Sequence, residues 1–108
     1  DILEDDQTLS RERERIALDH SIALMEVAQA ATATPTDVAN AIAFSNKLWT
    51  VLVEDLADTG NGPPKALRAQ IISIGIWILR ELEDIRTGKA TGFADVKAVS
   101  QSIRDGLL

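Results

Sequence analysis

Cysteine is absent from this 108-residue chain. That excludes a disulfide framework and any thiolate metal site, and it gives no sign of adaptation to an oxidising compartment. Tyrosine is absent as well, and two Trp and two Phe make up the whole aromatic complement, too few for a platform on which nucleic-acid bases stack. His20 is the single histidine, so a histidine metal site or proton relay has no second imidazole to draw on. Positive charge is in deficit, 11 Lys and Arg against 17 Asp and Glu for a net charge of −6, which is the reverse of a surface built to neutralise phosphates. The longest uncharged stretch, Ala69 to Leu79, falls well short of the roughly 20 residues that a bilayer-crossing helix needs. The chain opens at Asp1 and nothing in its first residues resembles a signal peptide. The expectation is a cytoplasmic protein, with no membrane association and no direct contact with nucleic acid.

What is present is enough for one core: 45% of residues are apolar and 26% charged, as suits a single domain over 1–108. Punctuation divides the chain into four helical pieces, and the fold class expected is all-α, a small four-helix bundle. The first helix is placed at about 8–31, after the acidic "DILEDDQTLS", with Thr8 or Ser10 as its cap and "RERER" in its early turns. The second, about 35–58, has the clearest start: Thr34 as N-cap, Pro35 at the first position and Asp37 three after the cap approximate a capping box. It stops at "TGNGPP", where Gly60 and Gly62 are available for positive φ. The third, about 64–87, ends with Arg86 in its last turn and Gly88 after it. The fourth spans about 92–105, ended by Gly106, and shows one apolar face through Phe93, Val96, Val99 and Ile103.

The segment "QIISIGIWIL" looks like a strand locally, but Leu67, Ile71, Ile74, Ile78, Leu82 and Ile85 recur at helical spacing and decide the matter. A second stripe, Ile72, Ile76 and Leu79, flanks the first. Helix two doubles in the same way, with Val38, Ile42, Trp49, Leu52 and Leu56 on one stripe and Phe44, Leu48 and Val51 on another side. Helix one does so more weakly, with Ile16, His20, Ala23 and Val27 opposed to Leu18, Ile22 and Met25. Three two-sided helices in a bundle of four leave apolar surface for a partner chain, or for a second copy of this one.

Sites of chemistry are hard to find. His20 reads as a half-buried structural residue, the paired carboxylates Asp5–Asp6 and Glu54–Asp55 as solvated faces, "TGNGPP" as a helix connection and "RERER" as a self-cancelling charge run. The expectation is no enzyme, with no catalytic residue, metal or cofactor. Trp49 lies in the middle of its stripe and is assigned to the core. Trp77 lies off both stripes of helix three and is shared between core edge and partner contact. Gly75 costs about 1 kcal/mol relative to Ala inside a helix, which close packing by another helix would explain.

"FSNKLWTVL" at 44–52, "PPKALRAQIISIGIWIL" at 63–79 and the ending "SIRDGLL" together resemble the flagellar biosynthesis regulator FlaF of alphaproteobacteria. The similarity is carried by Asn46, Lys47, Leu48, Trp49 and Thr50 with Pro64, Arg68, Ile71 and Gly75. It implies a cytoplasmic, non-enzymatic regulator that promotes flagellin production, by binding flagellin before secretion or by acting on its synthesis after transcription, and that is paired with the opposing regulator FlbT. The surface expected to bind flagellin consists of the apolar sides of helices two and three, with Asn46, Lys47 and Arg68 at its rim and Leu48 and Trp77 as contacts. Two alternatives stand beside it: a translational regulator working on flagellin messenger RNA directly or through FlbT, and a homodimer that presents an adaptor surface.

Overall fold

The computed structural model describes residues 2–58 and 63–107, with side chains from Ser10 to Asp58 and from Pro63 to Gly106. Among these residues there are four helices and no strand: α1 (Ile2–Gln29), α2 (Pro35–Ala57), α3 (Lys65–Arg86) and α4 (Ala94–Leu107). The body they form measures 47 × 22 × 19 Å.

Four boundaries differ from the sequence expectation by two residues or more, among them the end of α1 at Gln29 instead of about 31 and the start of α4 at Ala94 instead of about 92. α1 starts at Ile2 rather than near residue 8, so Thr8 and Ser10 lie inside the helix instead of capping it. α4 runs through Gly106 to Leu107 instead of stopping before the glycine. The start of α2 is the box that its sequence spells out: Thr34 Oγ1 accepts from the Asp37 backbone N–H at 3.1 Å, and the Asp37 carboxylate accepts from the Thr34 N–H at 2.9 Å. α3 ends before Gly88, whose φ of +80° is the left-handed conformation that glycine adopts without strain. Gly60 and Gly62 of the expected turn lie outside the described residues.

Three contacts fix how the helices align. Between α1 and α2 the buried hydroxyls of Ser21 and Ser45 meet at 2.6 Å, and these small side chains let the two helices approach closely. Between α1 and α4, Arg104 pairs with Asp19 at 3.0 Å and Lys97 with Glu26 at 4.0 Å, a register that only antiparallel helices produce. Between α2 and α3, Gly75 faces Val53 and Trp49. α2 is thus flanked by α1 and α3, α4 lies on α1 and touches α3, and neither diagonal pair comes close.

Leu18, Met25, Ala41, Trp49, Ile78, Leu82 and Val96 fill the centre and are almost wholly shut off from solvent. Each large apolar side chain buried this way contributes roughly 1.5–3 kcal/mol relative to exposure. Trp49 is at 0% exposure, and its indole N–H has no partner there. Ile71 is buried in the same core, and Pro64 immediately precedes α3.

Candidate partner-binding surface

Among the described side chains, five large hydrophobic ones are exposed: Ile16, Val27, Val51, Ile76 and Trp77. Their positions follow from the helix contacts. Ser21 and Leu18 turn one side of α1 inward, so at about 100° per residue the opposite stripe, Ile16, His20, Ala23 and Val27, faces out, and all four are exposed. His20 is exposed rather than half-buried, and its ring packs edge-on against Phe44 at 4.6 Å between centroids. With Val51, these residues make an apolar strip over the outside of the α1/α2 pair.

A second strip runs along the outside of the α2/α3 pair. On α3 it consists of Ile72, Ile76 and Leu79, half-buried or exposed, with Arg68 one turn before them. On α2 the positions along that side are Asn46 and Ala57, exposed, and Thr50 and Val53, half-buried; the contact of Gly75 with Val53 sets Asn46 near the level of Leu79 and Val53 to Ala57 near that of Ile72 and Arg68. Gly75 holds the helices close together beneath this strip, since a Cβ there would stand 2.5 Å from Val53 Cγ2.

The partner-binding residues expected from sequence are spread over four places on the surface. Asn46 and Arg68 share the α2/α3 seam. Leu48, half-buried, is turned toward the α1 side of α2, away from Asn46. Lys47 points straight out from α2, and Trp77, 37% exposed, lies on the flank of α3 away from Leu79. The expected surface is therefore an assembly of Asn46 and Arg68 with the second α3 stripe, and Leu48, Lys47 and Trp77 stand apart from it. Val53 and Ala57 lie outside the set that the sequence singles out, and Thr50 enters it only as part of the family resemblance. Their signal was the recurrence of small or short side chains down one side of α2.

The electrostatics of this region centre on Arg68. Its Nε–H is shut off from solvent and has no acceptor, and the side chain forms no ion pair among the described residues. Among the described residues four other cations have partners: Arg15 with Glu12, Arg86 with Glu83 at 2.9 Å, Lys97 with Glu26 at 4.0 Å, and Arg104 with Asp105 and Asp19. Across α1 and α2, burial pushes the Glu14 carboxyl above its ordinary range, the nearby charge of Asp55 adds to the rise, and Arg11 opposes it. Exposed Glu83 is lowered by its hydrogen bond from Arg86.

Among the described residues no group of three or more His, Cys, Asp or Glu could hold a metal. A depression of about 440 Å³ at the end of the bundle, between Ala28, Val38, Ile85 and Phe93, has no ionisable side chain in its lining. No helix among the described residues is long and apolar enough to cross a membrane.

The structure therefore defines a small all-α bundle whose distinguishing feature is apolar surface left open on two outer seams. A family model for flagellar protein FlaF matches residues 2–107, nearly the whole chain, and the chain belongs to that family. Comparison with curated proteins and with solved structures finds no match.

Proposed function

We propose that this flagellar protein binds flagellin before secretion, in a chaperone-like manner and without catalysis, and that it promotes flagellin production by doing so. The observation that carries the reading is the surface that folding leaves uncovered: Ile16, Val27, Val51, Ile76 and Trp77 are exposed on a chain whose core is already closed around Trp49. Apolar strips on helical seams suit the capture of an amphipathic helix by groove packing or bundle completion. Membership of a flagellar family directs the search to a flagellar partner, and the excess of acidic over basic residues supports a protein partner over a messenger RNA.

Size-exclusion chromatography with light scattering, on the protein alone and mixed with unassembled flagellin, tests this directly. A discrete complex is the expected result. Absence of a complex, with the protein alone running as a stable dimer, overturns the reading and moves attention to FlbT and the flagellin message.

A further inference from the structure

We infer that the stretch of α1 from Ser10 to Arg15 is a strap over the C-terminal half of α2, that it opens while the rest of the bundle stays folded, and that the charge of Glu14 keeps it from closing tightly. This is a motion of the bundle itself and holds whatever the partner.

Three observations carry it. The first is packing. Among the described residues of α1, the buried ones are Leu18, Ser21, Ile22, Met25 and Ala28, all after Ile16, and none lies between Ser10 and Arg15. That stretch reads SRERER and has no apolar side chain to bury. Helices in proteins draw most of their stability from an apolar face packed on a neighbour, and this stretch has no such face.

The second is the set of neighbours. Arg104 of α4 pairs with Asp19, so Leu107, three residues later on an antiparallel helix, ends α4 at about the level of Ile16. Among the described residues α3 does not approach α1. The stretch ahead of Ile16 is therefore left with α2 for support.

The third is the chemistry of that support. Glu14 lies seven residues before Ser21 and Leu52 seven after Ser45, so two turns beyond the serine pair a carboxylate stands on the α2-facing side of α1, at the level of Leu52. Its partial burial pushes the carboxyl above the ordinary range, Asp55 of α2 adds to the rise, and Arg11 of its own helix opposes it. A carboxyl that is harder to ionise when folded adds stability while protonated, and that contribution is lost as pH rises through its raised pKa. At neutral pH the charge thus works against closure, and opening bares the side of α2 around Leu52, which the closed helix keeps buried.

Native-state hydrogen exchange on the full chain, followed at urea concentrations below the unfolding transition, tests this together with thermal melts. In the wild type, the amides from Glu14 to Ala17 are expected to exchange at least about tenfold faster than those from Ile22 to Met25, through an opening that urea barely accelerates. Glu14→Leu should slow exchange over Glu14 to Ala17 about tenfold, since it gives the strap an apolar side chain to bury. Glu14→Gln removes the charge while keeping shape and helix propensity. It should melt about 2 °C above wild type at pH 7, and the difference should shrink as pH falls and the wild-type carboxyl takes up its proton. Equal exchange rates and equal urea dependence in the two parts of α1 would mean that the helix opens as one piece, and the inference is then wrong. A Glu14→Gln variant that melts at or below wild type at pH 7 overturns it too, because the charge would then be holding the strap down.

Discussion

Gly75 shows how one missing side chain sets the spacing of two helices. Alanine would gain about 1 kcal/mol of helix propensity at this position. Its Cβ, however, would stand 2.5 Å from Val53 Cγ2 and 3.3 Å from Trp49 Cε3. Val53 is β-branched and stiff, and Trp49 is enclosed on all sides, so the conflict is not relieved by a swing of one flexible group. Overpacking of this kind costs roughly 1–3 kcal/mol. Gly75→Ala is therefore expected to destabilise the protein by about 1 kcal/mol net, measured as a lower urea midpoint. A midpoint at or above wild type would mean that α2 and α3 separate easily. The sequence made the cost of this glycine visible and pointed to a helix as its reason, but Val53 as the neighbour depends on a helix alignment that periodicity does not encode.

At the scale of elements, the start of α2 was legible because its signal is chemical and local: Thr34, Pro35 and Asp37 bond within three residues of one another. Thr34→Ala removes the acceptor for the Asp37 N–H and should cost about 1 kcal/mol, read as a fall in melting temperature. No change would show that the α1–α2 connection holds the turn by itself. The start of α1 was misplaced for an equally physical reason. Thr8 and Ser10 are cap-forming residue types taken singly, but a cap signal acts only where the backbone leaves the helix, and here the helix runs from Ile2 through both. The second apolar stripe of α3 could be read in advance. Which side of α2 it adjoins could not, because that depends on Ser45 meeting α1 and Gly75 meeting Val53. For this reason Leu48 and Asn46, only two residues apart, serve opposite seams.

At the scale of the whole molecule, α4 is half the length of α1, 14 residues against 28, and its ion pairs place it alongside the stretch of α1 from Asp19 to Glu26. Burial follows that placement. Met25, Ile78 and Leu82 are fully enclosed, whereas Leu56 and Leu67, toward the other end of α2 and α3, are only half-buried. The opening of α3 also has no side-chain cap at Pro64. Hydrogen exchange should accordingly be slowest from Ile78 to Leu82 and from Ala41 to Trp49, and clearly faster over the first turns of α3. Uniform protection along α3 would mean that stability is spread evenly through the bundle instead of concentrating beneath α4.

The paired hydroxyls of Ser21 and Ser45 have a consequence of another kind. Aliphatic side chains slide past one another at little cost, so a seam made only of Leu and Ile tolerates α1 displaced by a turn along α2. Two serines enclosed at 2.6 Å resist it, because a shift breaks their bond and leaves each hydroxyl only the carbonyls of its own helix in an apolar interior. The contact therefore acts less as glue than as a detent: it adds little to how strongly the helices hold and much to where they stop. Since the outer seam inherits its alignment from that stopping point, two small polar groups in the interior determine which residues the protein presents to the outside.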